Sequence, residues 1–242
     1  MLFLQAALNG DRQHPAVPRS AEKIAQDAKA AIEAGAQSIH VHAFNDQEAE
    51  TLDARACSRV LKAIRNACPG TSISLTTSAA IVPDPAVRFA MIQQWTDLPD
   101  LVTANQGEDG IIELSEWLMS RGVEIEAGLL SVEDAKKFVA SPIRHRCRRV
   151  LVEPLNLDFN EALRHAVEME EIVSSAGVTL EQVHHGYGIA SWAVNLRAIE
   201  RGHGIRTGLE DVPVLPDGVL AEDNAQLVRT AMSMLTRHRR PE

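Results

Sequence analysis

Short apolar runs alternate with longer amphipathic stretches along the whole chain. Polar residues, Gly or Pro follow each apolar run, which is the pattern of strands that are buried in a parallel sheet. The runs are FLQAAL, SIHVHA, SISLTTS, LVTANQ, EIEAGL, RVLVEP, QVHHGY and IRTGLE. The pattern therefore predicts eight strands, each followed by a helix.

The amphipathic stretches predict the helices, and residues 20–34 show why. Ser20 offers a hydroxyl that can cap the first turn, and Gly35 follows the last one. Ile24 and Ala28 lie one turn apart, on the face that would point inward. The other predicted helices span 53–67, 84–95, 111–121, 131–140, 158–175, 190–202 and 222–236.

Eight strand and helix pairs within 242 residues predict one closed barrel. Strict alternation produces a parallel sheet, and eight repeats of roughly 30 residues are typical of a (β/α)8 barrel more than of an open doubly wound sheet. No linker or change of composition interrupts the series. We therefore predict an α/β fold with a single (β/α)8 TIM-barrel domain over residues 1–242. The basic end, 237–242, is expected to be a flexible tail.

Composition limits the partners of the chain. It is 45% hydrophobic but only 4% aromatic, and its formal net charge is −9, so we expect an aliphatic core and an acidic surface. Such a surface disfavours nucleic acid and favours small-molecule partners. The sequence offers no run of ~18 apolar residues that could cross a membrane, and its three cysteines lack disulfide or zinc spacing. A cytoplasmic protein without a membrane partner is expected.

Polar residues follow almost every predicted strand, where barrel enzymes place their catalytic groups. His40 and His42 are two residues apart, so in a strand they point to the same face and could bind Zn²⁺ or another divalent ion. Such a site needs a third protein ligand. Glu210 is the first candidate because it would close the last strand, which neighbours the first strand in a closed barrel, and Glu126 is the second. Alternatively, the histidines are hydrogen-bonded core or rim residues.

Longer motifs resemble one known family. The segments HPAVPRSAEKIAQDAKAAIEAGAQSIHVHAFND, LTTS, IEAGLLS, VLVEP, HHGYGIASW and IRTGLEDVPVLPDGVLAEDNAQLV are together similar to the β-keto acid cleavage enzymes of the 3-keto-5-aminohexanoate type. The resemblance covers almost the whole chain. His-x-His followed far downstream by R-x-G-L-E-D, P-D-G and N-A is a specific combination.

The resemblance implies a zinc-dependent barrel that condenses a β-keto acid with acetyl-CoA and releases acetoacetate and a new acyl-CoA. It implies His40, His42 and Glu210 as metal ligands. It also implies Arg206 and Asp211 as the catalytic pair, and a homo-oligomer, usually a tetramer. The substrate is expected to contact polar residues at the strand ends: Asn9, Thr77, Ser78, Thr103, Asn105 and Glu126.

Several positions depart from the family pattern. Many relatives have an arginine and an aspartate shortly after His-x-His, but this chain has Ala43 and Phe44 ahead of Asn45 and Asp46. Tyr187 stands where relatives have a glutamate. Asn9 ends the first predicted strand, where the amine-recognising member has an acidic residue. We therefore expect a neutral or anionic β-keto acid as substrate.

Two other functions remain open. A metal-dependent amide or lactone hydrolase would use Glu126 and Glu153 as further ligands and would need no acetyl-CoA. A noncatalytic barrel that contains a metal would bind a small acid or scaffold an assembly. Independently of these functions, Arg206 and Asp211 could form a structural ion pair at the rim. Because Glu210 and Asp211 are adjacent, a continuous strand would point them in opposite directions. Both can serve the site only if the strand ends or bulges there.

Overall fold

The predicted apolar runs form a closed parallel barrel in the computed structural model, which describes residues 2–238. The elements follow in the order β1 (Leu4–Ala7), α1 (Ala21–Glu33), β2 (Ser38–Val41), β3 (Ala43–Phe44), β4 (Glu50–Thr51), α2 (Ala54–Ala67), β5 (Ser72–Thr76), α3 (Pro85–Gln93), β6 (Leu101–Asn105), α4 (Ile111–Ser120), β7 (Glu124–Leu129), α5 (Val132–Ala140), β8 (Arg149–Val152), α6 (Phe159–Ser175), β9 (Glu181–His184), α7 (Ala190–Glu200), β10 (Gly204–Thr207) and α8 (Asn224–His238). Around the barrel the strands are ordered β1-β10-β9-β8-β7-β6-β5-β2, so β1 lies between β2 and β10. The predicted (β/α)8 TIM barrel is confirmed.

Side-chain caps fix where several helices begin. The Ser20 hydroxyl accepts a hydrogen bond from the backbone N–H of Lys23 at 3.3 Å, as the sequence predicted for α1. Asp53, Asp84 and Asp158 cap α2, α3 and α6 in the same way. The loops that lead into these helices therefore end at defined residues.

The prediction that the last strand continues to Glu210 was wrong. β10 ends at Thr207, and a turn follows in which the backbone N–H of Asp211 donates to the carbonyl of Gly208 at 3.0 Å. A Cβ at position 208 would lie 1.9 Å from the carbonyl oxygen of Ala7 in β1, so only glycine fits this close approach. The chain therefore leaves the sheet before Glu210, and strand geometry no longer forces Glu210 and Asp211 apart.

The second predicted strand is also shorter than expected. β2 ends at Val41, and the chain continues into a small antiparallel hairpin of β3 and β4, in which Ala43 pairs with Thr51 and Phe44 with Glu50. No sequence pattern predicted this hairpin. It folds the chain back beside His42, which lies between β2 and β3.

The structure describes only the first two residues of the predicted flexible tail, 237–242. Arg237 and His238 belong to α8, whereas 239–242, the rest of the predicted flexible tail, lie outside the described residues. No helix between residues 2 and 238 is both long and apolar enough to cross a membrane.

Candidate active site

Two imidazoles and one carboxylate meet at the carboxyl end of the barrel. Nε2 of His40 lies 3.5 Å from Oε2 of Glu210, and Nε2 of His42 lies 3.5 Å from Oε1 of the same carboxylate. These separations exceed those of a good hydrogen bond. The three side chains each offer one ligand atom within 4.8 Å of the others. The structure thus brings together the three residues that the sequence proposed as metal ligands, in an arrangement that can chelate one ion.

Hydroxyl groups orient the ring of His40. Its Nδ1 lies 3.1 Å from Oγ of Ser74 and 3.2 Å from Oγ1 of Thr103. Ser74 in turn donates a short hydrogen bond to the fully buried carboxylate of Glu126, which also accepts from Nε2 of Gln5 at 2.8 Å. With Ser74 committed as a donor to Glu126, its oxygen accepts the Nδ1 proton of His40. This tautomer leaves Nε2 of His40 free to bind a cation.

His42 is held by a backbone clamp and by the hairpin. The side-chain amide of Asn9 accepts from the backbone N–H of His42 at 2.8 Å and donates to its carbonyl at 3.1 Å. Nδ1 of His42 lies 2.5 Å from Oε1 of Glu50, which the hairpin places there. Glu50 is therefore a site residue that no sequence pattern had indicated.

Burial and charge set the protonation states of the three groups. Burial lowers the pKa of His40 to about 3, which keeps the imidazole neutral, as a metal ligand must be. Burial also opposes the charged form of His42, but the carboxylates of Glu210 and Glu50 outweigh it and raise the pKa of His42 to about 9. Burial opposes the charge of Glu210 too, yet Arg206 and the histidines hold its pKa well below the usual range. A metal ion bound at Glu210 would therefore have to displace the proton of His42, because only the neutral imidazole is a metal ligand.

Removing the carboxylate behind His42 tests whether the hairpin supports metal binding. We expect Glu50→Ala to weaken divalent metal affinity by about 10- to 100-fold, because an imidazole ligand loses the partner that fixes its tautomer and orientation. Competition with a chelator of known affinity measures the change. Gln47→Ala, on the exposed turn of the same hairpin, is the matched control and should bind like the wild type. Equal affinities for both variants would contradict the role of Glu50.

A second charged row begins at Arg206. Its guanidinium donates to Oδ1 and Oδ2 of Asp211 at 2.6 and 3.1 Å and to Oε1 of Glu210 at 2.8 Å. Oδ1 of Asp211 lies 3.4 Å from Nδ1 of His185, whose Nε2 lies 3.4 Å from Oε2 of Glu153. Although burial opposes both charges, mutual attraction lowers the pKa of Asp211 and raises that of Arg206. Burial raises the pKa of Glu153, against the pull of His185 and Arg206.

Arg12, in the loop after β1, braces the turn that carries Glu210 and Asp211. Its Nε donates to the carbonyl of Glu210 and its Nη2 to that of Asp211, both at 3.0 Å. The guanidinium also packs over the ring of Tyr187, 4.4 Å from the centroid. Arg12 lies in a polar loop without a recognisable motif, so no sequence pattern indicated its role.

A cavity of about 370 Å³ opens onto these groups. Its wall includes three of the predicted substrate contacts, Ser78, Thr103 and Asn105. The two histidines, Glu210 and Arg206 line the same cavity. The other three are fully buried and bonded to protein groups. Asn9 clamps His42, Thr77 donates to the carbonyl of Thr103 at 2.7 Å, and Glu126 accepts from Ser74. Three of the six predicted substrate contacts therefore line the cavity, and the other three are buried behind its wall.

Solved structures share this barrel. The ternary complex of ObcA with a C4-CoA adduct and oxalate aligns with a TM-score of 0.72 at 15% identity, over 93% of this chain and 64% of that chain. The present chain thus spans less than two thirds of ObcA. Thiamine phosphate pyrophosphorylase from Pyrococcus furiosus aligns with a TM-score of 0.60 at 15% identity, over 99% of this chain and 98% of that chain. At these identities the similarity concerns the fold alone.

Sequence comparison is more specific. The chain is 28% identical to the 3-keto-5-aminohexanoate cleavage enzyme of Fusobacterium nucleatum subsp. nucleatum, over 96% of this chain and 90% of the relative. It is 25% identical to the 3-oxoadipate:acetyl-CoA acetyltransferase of Cupriavidus necator, over 98% of this chain and 88% of the relative. The family model described as beta-keto acid cleavage enzyme matches residues 2–141 and 158–241. The chain therefore belongs to the beta-keto acid cleavage enzyme family.

Proposed function

We propose that this enzyme condenses a β-keto acid with acetyl-CoA and releases acetoacetate and a new acyl-CoA. Membership of the family and the similarity to a relative named as an acetyl-CoA acetyltransferase support the proposal. The observation that carries it is the meeting of His40, His42 and Glu210 with Arg206 on one cavity wall. Such a site can bind an anionic substrate and a cation side by side.

A divalent ion, which we propose to be zinc, fits the residues present. Two imidazole nitrogens and one carboxylate oxygen are a common ligand set for catalytic zinc. Among residues 2–238, no hydrogen-bond donor satisfies the buried Oε2 of Glu210, and such an atom needs a positive partner. His40, His42 and Glu210 would hold the ion. When bound, it would polarise the keto oxygen of the substrate and stabilise enolate charge.

The proposed reaction exchanges one carbon–carbon bond for another. C2 of the β-keto acid loses a proton and bonds to the acetyl carbon, while CoA leaves as its thiolate. The thiolate then attacks the original keto carbon, and the bond between C2 and C3 breaks. The proton returns to C2, which yields acetoacetate and the new acyl-CoA. The enzyme must therefore hold one proton during each cycle.

The charged residues from Arg206 to Glu153 can bind the substrate carboxylate and transfer the proton. Arg206 lies on the cavity wall and stays charged, so we assign it to the substrate carboxylate. Asp211 packs against Arg206 and His185, and His185 leads to Glu153 on the wall. We assign the transferred proton to Asp211, which contacts His185, and His185 in turn contacts Glu153. Asp211 and Arg206 thus remain the proposed catalytic pair.

The cavity wall also bears on the choice of substrate. Ile81, Leu130 and Leu155 supply an apolar part of the wall that can receive an acyl chain, whereas Asp11 contributes one carboxylate. Asn9 lies at the position that suggested a neutral or anionic substrate. Its side chain is hydrogen-bonded to the backbone of His42. We propose a neutral or anionic β-keto acid as the substrate. An amino-substituted acid is the informative comparison, because the carboxylate of Asp11 on the cavity wall could attract its ammonium group.

A panel of β-keto acids tests the proposed function. Aliphatic, dicarboxylic and amino-substituted acids are incubated with the purified enzyme, with and without acetyl-CoA. We expect acetoacetate and a new thioester to form in equal amounts, and only when acetyl-CoA is present. Product release without acetyl-CoA would instead support an amide- or lactone-hydrolase type of chemistry. Tight metal binding without turnover of any acid would support a noncatalytic barrel.

We also propose a homotetramer that works in the cytoplasm. The tetramer rests on the resemblance to the family. The cytoplasmic setting is supported by Cys57, Cys68 and Cys147, which are buried with free thiols, as suits a reducing compartment.

A further inference from the structure

The side-chain amide of Asn224 joins four segments of the chain behind the proposed metal site. Its Oδ1 accepts from the backbone N–H of Leu209 at 2.7 Å. Its Nδ2 donates to the carbonyl of Leu8 at 2.7 Å and to Oδ2 of Asp27 at 2.6 Å. The amide is fully buried at the start of α8, and Asp27 lies in the middle of α1. The segments that follow the first and last strands of the barrel are thus tied together through one side chain.

An asparagine meets all three hydrogen-bonding demands in this position, whereas alanine and aspartate do not. A backbone N–H can only donate and a carbonyl can only accept, so the partners fix which end of the amide faces Leu209 and which faces Leu8. The carboxylate of Asp27 takes the second amide proton. Alanine at position 224 would lose all three bonds, and aspartate would place an oxygen against two acceptors. The geometry therefore uses both chemical halves of the Asn224 amide.

These bonds lead directly to two of the proposed metal ligands. Leu209 precedes Glu210 in a turn beyond β10. The backbone N–H of Glu210 donates to the carbonyl of Ala7 at the long distance of 3.3 Å, and the bond from Leu209 to Asn224 is a second, shorter backbone anchor of this segment. Leu8 precedes Asn9, whose amide clamps the backbone of His42. Asn224 therefore lies between the support of the carboxylate ligand and the support of one imidazole ligand.

We propose that Asn224, held by Asp27, is a positioning residue that sets the separation between the Glu210 carboxylate and the His42 imidazole. The inference rests on the metal site of the proposed function. Partners that orient metal ligands commonly contribute about 10- to 100-fold to metal affinity. The Asn224 amide fills this role through the backbone, because it contacts neither ligand side chain itself.

Zinc titration of purified variants against a competing chelator tests the proposal. We expect Asn224→Ala to bind zinc about 10- to 100-fold more weakly than the wild type. Asp27→Asn keeps an oxygen that can accept from Asn224, so it should stay close to the wild type and serve as the conservative variant. Hydrogen exchange at the Leu209 amide, measured without metal, should become faster in Asn224→Ala because its acceptor is gone.

Leu235→Ala is the matched control for a general loss of stability. Leu235 is buried in the last turns of the same helix, about 16 Å along its axis from Asn224. This variant should lower the melting temperature but retain wild-type zinc affinity. Unchanged zinc affinity or Leu209 exchange in Asn224→Ala would overturn the proposal, as would an equal loss of zinc affinity in Leu235→Ala. A wild-type protein that binds no zinc or other divalent ion would overturn the proposed metal site and this inference together.

Discussion

We expect the purified wild-type protein to contain about one divalent ion per chain and the His42→Ala variant to lose it. A catalytic site of this type has three protein ligands, and two of them hold an ion far less tightly than three. His42 is only slightly exposed but borders the cavity, so its removal should leave the barrel folded. Elemental analysis of the purified protein gives the metal content, and the thermal unfolding temperature reports on the fold.

His145→Ala is the control for the loss of a histidine. His145 is exposed and precedes β8, at the end of the barrel opposite the cavity, so its removal should leave the metal content unchanged. Wild-type occupancy in His42→Ala would remove His42 as a ligand. A large drop in unfolding temperature would instead assign His42 a structural role.

Asp211→Asn is expected to lower kcat by about 10²- to 10⁴-fold, the usual contribution of a group that transfers a proton. An asparagine keeps an oxygen that can accept from Arg206 but cannot take up the proton from C2. Because Asp211 is not one of the proposed ligands His40, His42 and Glu210, the ion at that site should be retained; a loss of metal would instead assign a second ion to the group of Glu153, His185 and Asp211. Steady-state kinetics with the best β-keto acid from the panel, together with elemental analysis, measures both effects.

Asp217→Asn provides the matched control, since Asp217 lies on the exposed loop between β10 and α8. Its kcat should equal that of the wild type. If Asp211→Asn raised KM and left kcat unchanged, Asp211 would serve only to orient Arg206 for binding. If Glu153→Gln alone reproduced the loss of kcat, the proton would reside on Glu153, whose pKa burial raises.

The sequence predicted the fold because its strands are aliphatic and regularly spaced. The runs around Ile39 and Val150 are buried on both faces in a parallel barrel, and such strands read as continuous apolar segments. The hairpin of β3 and β4 escaped prediction because each strand has two residues, too few to show alternation. The end of β10 was misplaced because the close approach of Gly208 to Ala7 involves residues distant in sequence.

The sequence predicted those site residues that belong to a local pattern. It did not predict the site residues that tertiary contacts bring to the cavity. His40 and His42 stand out because imidazoles two apart share a face. Glu50 and Ser74 carry no such signal, since the hairpin and the barrel register bring them to the two rings. Arg12 acts through backbone carbonyls, which no sequence motif reveals. Glu126 was expected to contact substrate, but its burial under Ser74 emerges only from the closed barrel.

The position of the site at the junction of β1, β2 and β10 has a consequence for biosynthesis. A ribosome produces His40 and His42 early, long before it produces Glu210 and the helix that begins at Asn224. The last strand must emerge and close the ring before the three side chains can share a cation. Metal capture would then be a late event in the maturation of the nascent polypeptide, and a chain truncated before β10 would have no complete place to hold the ion.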